Sequence, residues 1–120
     1  MISTAVLFRI ADAAEEEGKL ALARQSFERG ASLGDDACLC RLAYLFDVGK
    51  GVPVDKDRAM QLYRRAWRKS RSAVAGSNIA ILYREKSNFR ATFQWWKRVA
   101  EEDDGSAYLE LAKCYLTGVG

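Results

Sequence analysis

The residues of this sequence that could carry chemistry are three cysteines, two runs of carboxylates and one glycine-rich segment. There is no histidine, so the commonest general base and the commonest metal ligand are both missing. Cys38 and Cys40 lie two residues apart and would point to different faces of a helix. Cys114 is remote, so the three lack the paired spacing of a zinc site. We interpret all three as buried thiols that act as small hydrophobic residues.

The acidic and glycine-rich segments do not have the pattern of catalytic sites. Residues 15–17 and 101–104 are consecutive carboxylates typical of a solvated surface, not isolated acids among apolar residues. Gly49-Lys50-Gly51 lacks the spacing and the lysine-serine/threonine ending of a phosphate-binding loop. The sequence therefore predicts a protein that is not an enzyme and that needs no cofactor or metal.

The composition is that of one globular domain. The 120 residues are 49% hydrophobic and 29% charged, which suits a single domain with its own core. No apolar run approaches the roughly 20 residues that span a bilayer, and the N-terminal segment lacks the basic region of a signal peptide. We therefore expect a cytoplasmic protein without a membrane span. The formal net charge of +3 is too small to demand a polyanionic partner.

One helical pattern occurs four times along the chain. It places apolar or small residues at offsets 0, 3, 4 and 7, which is one face of an α-helix, and its third position is always alanine. A second pattern, with offsets 0, 4 and 8 and an aromatic residue at its centre, follows the first three copies. We therefore predict pairs of antiparallel helices. The first pattern covers residues 7–14, 39–46, 76–83 and 108–115, and the second covers residues 23–31, 59–67 and 91–99.

The spacing of the copies predicts a helical repeat protein. Their starts lie 32, 37 and 32 residues apart, which are periods typical of helical solenoids. The longer middle period contains the loop 49–55, where two glycines and a proline prevent a helix. Asp55 is suited to cap the helix that follows, and Ser87 and Asn88 are alternative caps for the sixth helix. We predict seven helices in one domain, 1–120, with units 4–34, 35–71 and 72–104 and a half unit 105–120.

The middle unit resembles a Sel-one-like repeat (SLR), a relative of the tetratricopeptide repeat. The first and third units lack its long loop and are more similar to ordinary tetratricopeptide units. The resemblance implies an all-α, right-handed α/α superhelix whose first helices line a concave groove. It also implies a non-catalytic adaptor or scaffold, often bacterial. The matching residues are Leu42-Ala43, Phe46, Val48-Gly49-Lys50-Gly51-Val52, Asp55, Ala59, Tyr63 and Ala66, and residues 111–120 look like the start of another copy.

The repeated apolar or small positions of the first helices form their packing stripe. In a tetratricopeptide-like register, residues one turn from this stripe would face the groove. We expect the groove to bind a protein or peptide and to be acidic at one end and basic at the other. Tyr44 is the strongest candidate, because exposed aromatic residues often anchor interfaces. Ordinary solvated surface is the alternative for each charged member. The predicted groove residues are Asp12, Glu15, Tyr44, Asp47, Arg84 and Lys113.

Two further functions remain open from the sequence. A basic patch beside Trp67 is the pattern of a nucleic-acid-associated module, although basic residues near a helix C-terminus also complement its dipole. Alternatively, the chain is a structural segment of a longer repeat array, because its sequence stops inside a repeat motif. The patch comprises Arg64, Arg65, Arg68 and Arg71 within the basic helix 58–71.

The sequence also predicts how the last helix and the three tryptophans pack. We expect Tyr108, Leu111 and Tyr115 to pack onto the third unit, and we expect self-association through this open C-terminal end because no second helix follows. Trp67 and Trp95 are predicted to lie in the core. Trp96 either packs between repeats or is partly exposed as an anchor.

Overall fold

The computed structural model describes residues 2–102 and 105–117 and is helical throughout its regular structure. Six of the seven described helices have 13 residues and α4 has 15, so each is about 20 Å long. The all-α class and the number of helices predicted from the sequence are confirmed. The helices are α1 (Thr4–Glu16), α2 (Leu20–Ser32), α3 (Asp36–Val48), α4 (Lys56–Ser70), α5 (Ala73–Glu85), α6 (Phe89–Glu101) and α7 (Gly105–Thr117).

Side-chain caps fix where the helices begin. Asp55 Oδ1 accepts a hydrogen bond from the Arg58 amide at 2.9 Å, which confirms the predicted cap of α4. At α6 the cap is Asn88, whose Oδ1 accepts from the Ala91 amide at 3.2 Å. Ser87 instead takes a left-handed backbone, with φ of 58°. Residues 103–104 of the second acidic run and the last residues of the predicted new repeat copy, 118–120, lie outside the described residues.

Contacts divide the chain into two compact units, Met1–Ala66 and Trp67–Gly120. We call these the first unit and the second unit, and they differ from the predicted repeat units. In the first unit α1 packs against α2 and α3, and α2 packs against α3. Gly30 lies where α2 meets α3, and a Cβ placed there would lie 2.9 Å from the Cβ of Cys38. Gly51 in the loop has φ of 75°, and its missing Cβ leaves room for Leu20. Small residues therefore set how closely these elements approach.

In the second unit α6 packs against both α5 and α7. The rings of Trp67 and Trp95 meet edge to face, with centroids 5.4 Å apart. A Cβ at Gly76 would lie 2.9 Å from Trp67 Cζ3, so a glycine is needed at this position. Trp67, Trp95 and Trp96 are each 5% exposed, which confirms the predicted core tryptophans and decides that Trp96 is packed. The Arg98 guanidinium lies 4.6 Å from the centroid of the Trp95 ring.

The thiols are buried, as predicted. Cys38, Cys40 and Cys114 are in the thiol form and no more than 8% exposed. Burial raises the pKa of Cys38 to about 12, and two effects of Asp35 act in the same direction: its hydrogen bond with the thiol and its negative charge. This thiol is therefore protonated at neutral pH and behaves as a small apolar side chain.

The packing of the last copy of the repeat pattern, on α7, differs in part from the prediction. Tyr108 and Tyr115 are 55% and 75% exposed, although Tyr115 meets the Phe93 ring edge to face at 5.4 Å. The buried face of α7 is formed by Ala107 and Cys114 instead. Leu111 of the repeat pattern is half-buried. The expected packing onto the third predicted repeat unit is therefore partial: Tyr115 contacts Phe93 of α6, but Tyr108 and Tyr115 stay largely exposed.

Candidate functional site

In the first unit, two of the predicted groove residues take part in a charge cluster between α1 and α3. Arg41 donates to Glu15 Oε1 at 2.7 Å and lies 3.0 Å from Asp12 Oδ1. Lys50 donates to Glu15 Oε2 at 2.8 Å. The Glu15 side chain is only 10% exposed. Two carboxylates thus neutralise two cations, and Glu15 already has both of its oxygens engaged.

Aromatic rings complete this first cluster. The Arg41 guanidinium lies 5.4 Å from the centroid of Phe8 and 5.2 Å from that of Phe27. The two rings meet edge to face at 5.8 Å. A guanidinium over aromatic faces gains cation–π energy in addition to its ion pairs. We conclude that this cluster holds α1, α2 and α3 together and offers little to a partner.

The groove residues predicted on α3 have different environments. Asp47 is 13% exposed and forms an ion pair with Lys56, at the start of α4. Tyr44 is 43% exposed, as predicted for an interface anchor. The hydroxyl of Tyr63 is buried nearby and finds no hydrogen-bond partner among the described residues. Of the four groove residues predicted in this unit, Tyr44 presents the most accessible surface for binding.

In the second unit, the predicted groove residues Arg84 and Lys113 are brought together by Glu110. Arg84 lies 3.5 Å from Glu110 Oε2, and Lys113 donates to Oε1 at 3.0 Å. The side chains of Arg84 and Lys113 are 48% and 69% exposed. Ion pairs with such exposed cations are weak, and the Arg84 pair is also long, so both cations remain accessible to another anion.

A cavity of about 120 Å³ lies beside these charges. Its wall is mostly apolar, because Thr92 donates its hydroxyl proton to Asn88 O and Thr117 donates to Lys113 O. Phe89, at the rim, is 41% exposed. The cavity is lined by Arg84, Phe89, Thr92, Glu110, Lys113, Cys114 and Thr117.

The two clusters occupy equivalent places in the repeat. Glu15 and Arg84 both lie eight residues after the start of the pattern, and Arg41 and Glu110 both lie two residues after it. The ion pair is therefore preserved with its charges exchanged. Arg41 and Glu110 were not predicted as site residues from the sequence. Comparing charges at equivalent offsets would have found them.

The second site also departs from the first in size and charge balance. Cys114 stands where the first unit has Leu45, which is 1% exposed, and the smaller side chain leaves space. Ile81 stands where the first unit has Asp12. Within the part of the chain that the structure describes, the second cluster thus has two cations for one carboxylate, next to a cavity.

The charge of the whole chain shows the same asymmetry. Residues 1–66 contain ten basic and ten acidic side chains, whereas residues 67–120 contain nine basic and six acidic ones. The formal net charge of +3 therefore belongs to the second unit. An acidic partner would be favoured there by electrostatic steering.

The outer face of α7 carries the three most exposed large apolar side chains of the described residues, Leu109, Tyr115 and Leu116. Tyr108, Leu109, Tyr115 and Leu116 are 55%, 67%, 75% and 87% exposed, and Ala112 is also exposed. They recur at helical spacing and form one apolar face. Exposed apolar patches of this kind mark interaction surfaces.

The predicted basic patch lies on α4 and in the turn after it. Arg65, Arg68 and Arg71 are exposed and Arg64 is half-buried. Arg71 lies 5.5 Å from the centroid of the Trp67 ring, so one of the four cations also packs on the core.

Within residues 2–102 and 105–117, no group of three or more cysteine, aspartate or glutamate side chains is placed to hold a metal ion. In the same part of the chain, none of the helices combines the length and the apolar character that crossing a membrane requires.

The paired helices and their recurring packing define a helical-repeat protein, and its fold is the SLR fold. Over 98% of its length the chain is similar to a protective antigen of uropathogenic Escherichia coli strains that displays an SLR fold, with a TM-score of 0.81 and 21% identity. It is also similar over 98% of its length to a Sel1 repeat protein from Oxalobacter formigenes, with a TM-score of 0.81 and 24% identity.

These comparisons confirm the resemblance noted in the sequence at the level of the fold. The chain spans 27% of the first of these solved chains and 51% of the second. No protein-family model matches the sequence, and no curated protein matches it.

Proposed function

We propose that this chain is a non-catalytic, cytoplasmic scaffold that binds a protein or peptide partner through its first helices. The observation that carries the proposal is the apolar surface of α7, where four large side chains are more than half exposed. Leaving such a face in water is unfavourable, and covering it is the main driving force of protein association. In the first unit, the exposed Tyr44 is the corresponding anchor.

The contact residues follow from exposure and from the charges already engaged. Tyr44, Arg84 and Lys113 are the predicted groove residues with the most accessible side chains. Asp12, Glu15 and Asp47 contribute mainly by holding neighbouring cations in place. We therefore place the strongest contacts of a partner at Tyr44 and along α7.

The partner search is an affinity capture from lysate of the source organism, with and without nuclease. The wild-type chain is compared with a Tyr44→Ala/Arg84→Ala double variant. A protein retained after nuclease treatment and lost with the variant supports the scaffold. Material lost with nuclease, whatever the variant does, supports the nucleic-acid alternative through Arg64, Arg65, Arg68 and Arg71. Capture by both chains alike contradicts the proposed groove residues.

We further propose that the apolar face of α7 supports self-association of this chain. Light scattering after size exclusion, across a range of concentrations, measures it. The average mass is expected to rise with concentration for the wild type and not for Tyr115→Ser/Leu116→Ser. Leu22→Ser/Leu33→Ser is the matched control, because these side chains are 46% and 55% exposed outside α7. A monomer at all concentrations contradicts self-association.

A further inference from the structure

We propose that the cavity beside Arg84 and Lys113 is a binding site for an acidic residue that adjoins an apolar residue in an extended peptide. The aspartate or glutamate carboxylate would pair with the two cations, and the apolar side chain would enter the cavity. This inference rests on the proposed function and specifies the chemistry of the partner.

The charge balance argues for a carboxylate. In the first unit, Arg41 and Lys50 face two carboxylates, Asp12 and Glu15. Among the described residues of the second unit, Arg84 and Lys113 both pair with one carboxylate, that of Glu110. An incoming carboxylate supplies the missing negative charge, and charge-assisted hydrogen bonds from a guanidinium and an ammonium favour it. Glu110 then serves as an internal counter-ion that the ligand partly displaces.

The cavity argues for an adjoining apolar side chain. Its volume of about 120 Å³ compares with the roughly 150 Å³ apolar cavity that accepts benzene in another protein, so one small aliphatic group fits. Thr92 and Thr117 direct their hydroxyl protons at backbone carbonyls, which leaves an apolar wall. Cys114 creates the space that Leu45 fills in the equivalent position.

The exposure of the cations argues for an acidic side chain within a chain rather than a terminal carboxylate. Arg84 and Lys113 are 48% and 69% exposed, so a peptide can continue over them in both directions. The exposed Phe89 ring, at the rim of the cavity, offers further apolar contact to that peptide.

The test is a titration of the isotope-labelled full chain, followed by NMR amide shifts. The probe is the blocked peptide acetyl-Gly-Leu-Asp-Gly-amide. Its matched controls are the same peptide with Asn for Asp, and acetyl-Gly-Leu with a free terminal carboxylate. We expect a Kd of about a millimolar for the probe, with shifts at the residues that line the cavity, and at least about fivefold weaker binding of both controls.

Three variants separate the two halves of the site. Cys114→Leu fills the cavity and is expected to weaken probe binding at least about tenfold while the chain stays folded. Arg84→Gln/Lys113→Gln is expected to do the same by removing the cations. Glu110→Gln removes the internal competitor and is expected to strengthen binding about threefold.

Any of three results would overturn the proposal: the probe binds within about twofold of the Asn control, Cys114→Leu binds the probe as tightly as the wild type does, or no amide shifts occur at the residues that line the cavity. Failure of this site is distinct from failure of the scaffold. If the wild type and Arg84→Gln/Lys113→Gln capture the same nuclease-resistant protein equally, the scaffold stands and the acidic-residue site does not.

Discussion

The guanidinium of Arg41 lies 2.7 Å from the carboxylate of Glu15, whereas the charge-exchanged equivalent, Arg84 with Glu110, spans 3.5 Å. Both pairs join residues 26 positions apart. The first pair is largely buried and is stacked on aromatic rings. Together with Asp12 and Lys50 it forms a cluster with no net charge. The second is exposed, has an excess cation and borders a cavity. One repeat position thus holds the fold together in one unit and is open to a ligand in the other.

Replacing Arg41 should destabilise the fold. Arg41→Ala leaves the mostly buried carboxylate of Glu15 without its shortest ion pair and removes the stacking on Phe8 and Phe27. We expect a loss of about 2–3 kcal/mol in the free energy of unfolding. Arg41→Lys keeps the charge but lacks the planar guanidinium, so we expect the free energy of unfolding to fall by about 1–2 kcal/mol. Urea unfolding followed by circular dichroism measures both.

The control for Arg41 is Arg24→Ala. Arg24 pairs with Glu28 one turn away on the same helix at 2.9 Å, with side chains 31% and 43% exposed, and pairs of this spacing on one helix contribute less than about 0.5 kcal/mol. Equal losses for Arg24→Ala and Arg41→Ala would mean that the cluster does not hold the unit together.

Glu15 should make stability depend on pH in the acid range. Burial alone would raise its pKa, but hydrogen bonds from Lys50 and Arg41 outweigh burial and lower the pKa below 4.5. A carboxyl group with a lower pKa in the folded state stabilises the fold above its unfolded pKa, and this contribution is lost as the pH falls through the folded pKa. Urea unfolding between about pH 3 and pH 7 should show this decline below about pH 4.5.

Glu15→Gln tests the origin of that pH dependence. This variant should be less stable than the wild type at neutral pH and should lose less stability on acidification. Identical acid profiles for the two proteins would assign the decline to other carboxylates.

Tyr63 should tolerate loss of its hydroxyl. The side chain is 1% exposed and its hydroxyl has no hydrogen-bond partner among the described residues. Tyr63→Phe removes a buried polar group and should be neutral or stabilising by up to about 1 kcal/mol. Tyr63→Ala leaves a cavity and should cost about 3–5 kcal/mol. A loss of more than about 1 kcal/mol for Tyr63→Phe would reveal a hydrogen bond to the hydroxyl, such as one from a bound water.

Gly76 should resist the substitution that usually strengthens a helix. Alanine in place of a helical glycine ordinarily adds about 1 kcal/mol, but a Cβ at Gly76 would press on Trp67. We expect Gly76→Ala to destabilise by about 1–3 kcal/mol. Gly105→Ala is the matched control, because a Cβ there meets no described atom within 4 Å, and it should be neutral or stabilising. Thermal unfolding compares the stability of the two variants with that of the wild type. A Gly76→Ala variant more stable than the wild type would refute the close packing at this position.

The helices and most of the core could be predicted from the sequence because burial on one helix face is a periodic, local signal. The alanines at the third position of the pattern show both the success and its limit. Ala11, Ala43 and Ala80 are fully buried, whereas Ala112 is exposed. Burial of a stripe requires a helix to cover it, and the pattern alone does not state whether that helix is present.

The candidate site could be predicted only in part. Arg84 and Lys113 were found from their offsets, because those offsets place them away from the packing stripe. Their convergence on Glu110 was not found, since it depends on how α5 and α7 are aligned, which no local pattern records. The cavity depends on the volume difference between Cys114 and Leu45, which becomes apparent only when the units are compared.

The measurement that tests the scaffold most directly is hydrogen–deuterium exchange of the full chain, with and without the partner recovered by capture. We predict added protection in the first helices α3, α5 and α7, with the largest change in α7 around Tyr115. Protection confined to α4 and its basic residues, or none in the first helices, would contradict it.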